Sequence, residues 1–538
     1  MKYFEISSSI SLFFVNCKMK VKINQSELWV YFVVWIITNF YSLFVLVQSQ
    51  NDIIQNNRLQ FSNLKDLQPG WKFLSRYRDV SDIEWSSWKY FIETTWCYFI
   101  IQYILSEIIR EKFPEYLKYW YIVSSCTFVC KYTGYKHLVT ILMQPTIYAA
   151  VIKFGGKKIS IWIISIILLV TYNSLKYNFY FWSFLEHDDM QDEEVYLLLF
   201  CVAWTELRCI SYSIDFVENK DEMYLKSKDI INMISYILYL PMLYTGPVIL
   251  YEDFEKSFTR VYKFDAKIRR FFYDIFIFFT YTLILDYIFH YIYFYAMQSD
   301  MELIRQLPSL ALCGGGLWMG LQFHMKYVIS YGIVSSFTRL DNIEPPPAPR
   351  CIARIHVYSQ MWRHFDVGLY RFLVKYIYKP CYNIISGSFK LPIIVYKLLA
   401  SLGTFIFIFL WHGMVWHIFM WTVLNYIGIT LEYSGKLISR HTSYQWLKQN
   451  ILKTEANETR FIAVLCTPLL ALSAISNFYL FAGTDVGNLF FERFFQPSLG
   501  KSLLLCFSLY CCCQVSIALE DVPSRGNNLT KTDLKKSL

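Results

Sequence analysis

The stretch 391–432 is apolar almost throughout and is long enough to cross a bilayer twice, since one crossing takes about 20 apolar residues. It cannot be barrel strand, which alternates in polarity over about ten residues. Further apolar runs lie at 28–48, 87–108, 117–133, 137–153, 159–175, 194–216, 230–251, 271–297, 308–337, 461–483 and 500–519. Composition agrees. Of the 538 residues 55% are hydrophobic and 17% charged, where soluble domains carry about 25% charged residues. The 43 Tyr and 16 Trp suit a protein with many membrane interfaces, where amphipathic rings sit at headgroup level. The chain reads as an all-α polytopic membrane protein. Several runs are short or polar, so about ten to twelve true crossings are expected. The region 117–153 is the candidate for a broken or re-entrant segment, which must be covered by protein or line a cavity.

Lys and Arg set the topology. The stretches 252–270, 338–380 and 434–460 are basic and read as cytosolic, which makes 391–432 a hairpin. The loop 49–86 should be lumenal, yet it carries several basic residues. Four divisions follow. Residues 1–27 are a cytosolic extension without a cleavable signal, and 28–190 an N-terminal membrane region. Residues 191–520 are the core, and 521–538 a cytosolic tail. The tail ends Lys535-Lys536-Ser537-Leu538, which resembles a dilysine retrieval signal and implies the endoplasmic-reticulum membrane, with Golgi passage. Three sequons, at Asn24, Asn457 and Asn528, fall on the cytosolic side and should carry no glycan. The net charge of +9 fits loops facing an anionic leaflet. No basic cluster sits on a polar domain, so nucleic acid is not an expected partner. The fourteen cysteines show neither zinc spacing nor a secreted-type framework. Cys511, Cys512 and Cys513 are open to acylation or are simply small span residues.

Ionisable groups within apolar runs are costly and therefore candidates for function. His412, in Phe409-Leu410-Trp411-His412-Gly413, is the clearest. Its ordinary pKa suits a general base, although a packed histidine bonded to a carbonyl would read the same. Asp366 follows Trp362-Arg363-His364-Phe365, so Arg363 could pair with it on a helix. Pro345-Pro346-Pro347-Ala348-Pro349 forbids helix and presents Arg350 and Cys351 on a stiff loop. That thiol could take a lipid, ligate a haem iron, or do neither. Tyr244-Thr245-Gly246-Pro247 suggests an opened turn lining a cavity. Arg208, Ser211 and Asp215 share one helix face, where Arg208 could hold an anionic group. Phosphate loops, dinucleotide fingerprints, HExxH and GxSxG motifs are absent from the sequence.

The ordered set EPPPAPRC, SQMWRHFDVGLYRFLVKYIYKP, LWHG and ISNFYLFAGTDVG resembles the membrane-bound O-acyltransferase (MBOAT) family. Within that family it is most similar to the Hedgehog acyltransferases. The resemblance runs from about residue 190 to 520. It implies the MBOAT fold, with re-entrant segments around a buried catalytic chamber. It puts the catalytic histidine at His412 and the second catalytic position at Asp366. That position is asparagine in many lipid-acylating members. The resemblance further implies Cys351 as a ligand of haem b and Asn477 in an acyl-CoA chamber. Trp362, Arg363 and Arg208 are placed on the substrate side. The implied donor is palmitoyl-CoA, and the implied acceptor is the N-terminal cysteine amine of a secreted Hedgehog-type protein. A lipid O-acyltransferase acting on lysophospholipid or glycerol hydroxyls would share His412. A transporter would need charges along a path and an inverted repeat, and neither is seen. The N-terminal extension, the charged tail and Thr484-Asp485 depart from the family pattern.

Overall fold

The computed structural model describes residues 23–56, 66–177, 192–219, 225–260, 262–495 and 499–520. The dilysine end and the Asn528 sequon lie outside these residues, as does most of the N-terminal extension. The principal helices are α1 (Gln25–Asn56), α2 (Ile83–Lys112), α3 (Leu117–Tyr132), α4 (Tyr135–Lys153) and α5 (Lys158–Tyr177). They continue with α6 (Asp192–Asn219), α7 (Ser227–Ile237), α8 (Phe264–Ile288), α9 (Ser309–Leu340), α10 (Tyr358–His364) and α11 (Val367–Leu373). The last are α12 (Ile393–His412), α13 (Trp416–Ile438), α14 (Glu455–Phe495) and α15 (Leu499–Leu519). A helix satisfies its own backbone, which hydrocarbon demands. Among the described residues six helices are long and apolar enough to cross a bilayer. They are Gln25–Asn56, Glu194–Asn219, Phe264–Ile288, Ile393–His412, Glu455–Phe495 and Gly500–Leu519.

The apolar run 391–432 forms two helices that pack on each other, α12 and α13, and of the two α12 is the one long and apolar enough to cross a bilayer. Two other runs differ from expectation. Residues 117–153 form two continuous helices that meet at Thr133 and Gly134, where φ is +93°. The broken segment lies instead at 225–256, expected as a span over 230–251. There α7 ends at Ile237, a 3₁₀ turn covers Leu240–Met242, and a short helix starts at Tyr251. Pro241, Gly246 and Pro247 interrupt the helix in between. Nearly all of 232–250 is nonetheless buried, so protein covers the irregular backbone.

The basic stretches gather at one end of the bundle. Lys267 reaches Glu107 at 3.0 Å and the Leu340 carbonyl at 3.0 Å. Arg110 meets Asp341 at 2.9 Å, and Arg460 Nε meets Glu27 at 2.8 Å. At the other end a hairpin pairs Leu67–Pro69 with Tyr77–Asp79. The Asp79 N–H donates to the Phe289 carbonyl at 3.1 Å, and the Ala296 N–H donates to Asp79 Oδ2 at 2.9 Å. Two of the basic residues that sat awkwardly in this loop, Arg76 and Arg78, have partners. Arg76 donates to the His290 carbonyl at 2.9 Å, and Arg78 and Lys89 both face Asp286.

Candidate active site

The helices enclose a cavity of about 1640 Å³. His412, Asp366, Trp362, Asn477 and Cys351 all line it, although they come from three separate stretches of the chain.

His412 is the last residue of α12. The helix stops because Gly413 takes φ +121°, which residues with a side chain rarely adopt. The imidazole sits between two indoles, edge-on to Trp411 at 4.7 Å and to Trp421 at 5.0 Å between ring centroids. Trp421 then reaches the other predicted residues. Its Nε1–H donates to Asn477 Oδ1 at 3.2 Å, and its ring lies 5.6 Å from that of Trp362. Trp362 Nε1–H donates to Asn425 Oδ1 at 3.0 Å. The Asn425 side-chain amide donates to the Trp421 carbonyl at 2.8 Å. Trp421 and Asn425 thus lock the site together. They went unnoticed in the sequence because they lie in an apolar run that does not reveal which face turns inward. The polar Asn425 was the one usable signal there.

Asp366 caps α11, its Oδ1 accepting from the Leu369 N–H at 2.8 Å. Its Oδ2 accepts from the Tyr331 hydroxyl at 2.9 Å. Removal from water pushes the Asp366 carboxyl above the usual carboxylate range, and these donors pull it back. The close approach needs two glycines. A Cβ on Gly246 would stand 2.7 Å from the Tyr331 hydroxyl, and one on Gly368 would stand 2.3 Å from the Val248 carbonyl oxygen. The interrupted segment 244–250 therefore seats α11, which Asp366 caps, and Tyr244 and Thr245 line the cavity as the motif suggested.

Other candidates lie elsewhere. The pairing of Arg363 with Asp366 does not form, because α10 ends at His364 and Asp366 opens the next helix. Arg363 is exposed and is not among the residues lining the cavity, nor is Arg208. Arg208 donates to the Ile237 carbonyl at 2.7 Å. Its face does hold together as predicted. Ser211 meets the Tyr376 hydroxyl at 2.9 Å, and Asp215 pairs with Lys375 at 3.0 Å. This face ties α6 to the segment after α11, with Arg208 bracing the irregular turn after α7.

Cys351 is exposed and lines the cavity, as do Ile352 and Ile355 of the same loop and Leu505, Leu509 and Cys512 of α15. Among the described residues no cluster of three or more His, Cys, Asp or Glu could hold a metal ion. A haem iron would ask the protein for a single ligand rather than a cluster, and the exposed Cys351 thiol is a group of that chemistry.

The architecture is that of an acyltransferase built within the membrane. The model of the MBOAT, membrane-bound O-acyltransferase, family matches residues 11–468, so the chain belongs to that family. Among known proteins it is similar to the protein-cysteine N-palmitoyltransferase Rasp of Drosophila melanogaster. The two are 28% identical over 517 residues, covering 95% of this chain and 98% of that one. The protein-cysteine N-palmitoyltransferase HHAT of Mus musculus is 24% identical over 469 residues, covering 82% and 88%. The membrane-bound O-acyltransferase GUP1 of Candida tropicalis matches only 41% of this chain and 37% of its own length, at 25% identity.

Proposed function

We propose that the chain is a protein-cysteine N-palmitoyltransferase of the endoplasmic-reticulum membrane. It would move palmitate from palmitoyl-CoA to the N-terminal cysteine of a secreted Hedgehog-type protein. One observation carries the reading. His412 and Asp366 face a single large cavity in a chain that matches a palmitoyltransferase over almost its whole length. A cavity of about 1640 Å³ with aromatic and aliphatic walls has room for an acyl chain and an acceptor together.

The chemistry follows from the groups present. An α-amine has an ordinary pKa of about 7.7–8.0, so it needs little activation near neutral pH. Its nitrogen attacks the thioester carbonyl, the C–N bond forms and the C–S bond breaks. His412 takes the proton released by the nitrogen and returns it to the departing CoA sulfur. Asp366, held by Tyr331 and Leu369, acts as a carboxylate that orients the reacting groups. Asn477 and Trp421 fix the wall against which the acyl chain lies. If haem b is bound, Cys351 is the residue that would hold its iron, through the thiolate. Loss of the Soret band in Cys351→Ala is the expected result, and a band that survives removes that ligand.

The test uses purified protein, palmitoyl-CoA and a peptide bearing the Hedgehog N-terminal cysteine, with its amine free or blocked. Amide-linked palmitate on the free amine alone supports the reading. Thioester-linked product on the blocked peptide would show that the cysteine sulfur can accept the acyl group. Acylated lysolipid in place of peptide would move the chain to the lipid-acylating class.

A further inference from the structure

The turn that carries His412 is held by one side chain from another helix. In a continuing α-helix the Met414 N–H would donate to the Leu410 carbonyl, four residues back. Here α12 opens at Gly413, and those two groups part. The side-chain amide of Asn173, on α5, stands between them. Its Oδ1 accepts from the Met414 N–H at 2.8 Å, and its Nδ2 donates to the Leu410 carbonyl at 3.3 Å. The second Nδ2 hydrogen goes to the Leu169 carbonyl at 2.9 Å, in its own helix. The orientation of the amide is dictated by its partners, since a backbone N–H can only donate and a carbonyl can only accept. Asn173 therefore replaces the peptide group that the broken turn lacks, with His412 midway between the two clamped residues. It also lines the catalytic cavity.

We propose that Asn173 is a positioning residue for the catalytic histidine. It fixes the opened turn, and hence the imidazole, from a helix some 240 residues away in sequence. The inference rests on the reading of His412 as the base. Rates fall by about a hundredfold when a reacting group is displaced by about 1 Å, so a clamp on the backbone beside the base should act on kcat.

The experiment measures CoA release and peptide acylation by the full-length protein in detergent. Wild type, His412→Ala, Asn173→Leu and Asn173→Asp are compared. Asn173→Leu keeps the size and removes both bonds. It should lower kcat by about ten- to a hundredfold, with KM for palmitoyl-CoA held within twofold. Asn173→Asp adds a readout independent of folding. A neutral carboxyl can accept from Met414 and donate to Leu410 as the amide does, whereas a carboxylate cannot donate. The kcat of Asn173→Asp relative to wild type should therefore rise as pH falls from 8 to 6. Wild-type kcat in Asn173→Leu overturns the proposal, and so does parallel loss of kcat and palmitoyl-CoA binding. A ratio for Asn173→Asp that is flat with pH overturns it as well. If Asn173→Leu fails to fold, that ratio decides. Full activity in His412→Ala would instead overturn the assignment of the base, an outcome separable from failure of the clamp.

Discussion

The Tyr331 hydroxyl donates to Asp366 Oδ2 at 2.9 Å, and few contacts in the cavity are as easily tested. Burial raises the Asp366 carboxyl, while the Leu369 N–H and the Tyr331 hydroxyl favour its charged form. Tyr331→Phe removes one of those donors, so the carboxyl should rise further. If activity needs the carboxylate, the acid limb of kcat/KM then moves to higher pH. The profile of kcat/KM against pH in wild type and Tyr331→Phe checks this. An acid limb that does not move would separate Asp366 from the titration that governs activity.

His412→Ala should lower kcat by about 10²- to 10⁴-fold, the usual contribution of a general base. Binding of palmitoyl-CoA should persist, since Trp421, Asn477 and Trp362, the residues proposed to form the acyl wall, keep their contacts with one another. Single-turnover acylation, run beside binding of a non-hydrolysable thioether analogue, separates the two effects.

Gly368→Ala should damage the site and Gly387→Ala should not. A Cβ at 368 meets the Val248 carbonyl oxygen at 2.3 Å, and backbone on either side leaves no flexible atom to yield. Overpacking of this kind costs about 1–3 kcal/mol, visible as a lower Tm and reduced acylation. At Gly387, in the exposed helix Lys379–Ser388, an added Cβ meets nothing within 4 Å. Alanine there should hold or slightly raise Tm.

Asn457 should carry no glycan. It lies at the basic end of the bundle, its Nδ2 donating to the Leu452 carbonyl at 2.9 Å and its Oδ1 accepting from Arg460 at 2.6 Å. Protein made in a glycosylating host should show no mobility shift on amidase treatment in Asn457→Gln against wild type. A shift would invert the topology.

How far these features could be read in advance depends on what each leaves in the sequence. His412 stands out because a titratable group in an apolar run is costly, so its presence needs a reason. Asp366 had an innocent explanation in Arg363, and only its motif set it apart. The structure removes that explanation, since one helix ends before Asp366 begins the next. Trp421 left no usable trace, and Asn173 left only its polarity in an apolar run. Their importance lies in contacts across helices, and apolar periodicity in a membrane helix does not separate a lipid-facing side from a cavity-facing one. The break within 225–256 is legible only at its end, in the Tyr244–Pro247 turn, because hydrophobicity marks burial in protein and burial in lipid alike. Pro241, Gly246 and Pro247 were the signal that told them apart.

The cavity wall includes Trp35, Ile36 and Asn39 from α1 and Leu504, Leu505 and Cys512 from α15. The two helices are joined by a hydrogen bond of 2.8 Å between Thr38 and Ser508, 470 residues apart. The chamber is thus bounded by helices far apart in the chain, and the part of its wall that α15 supplies forms only when α15 packs beside α1.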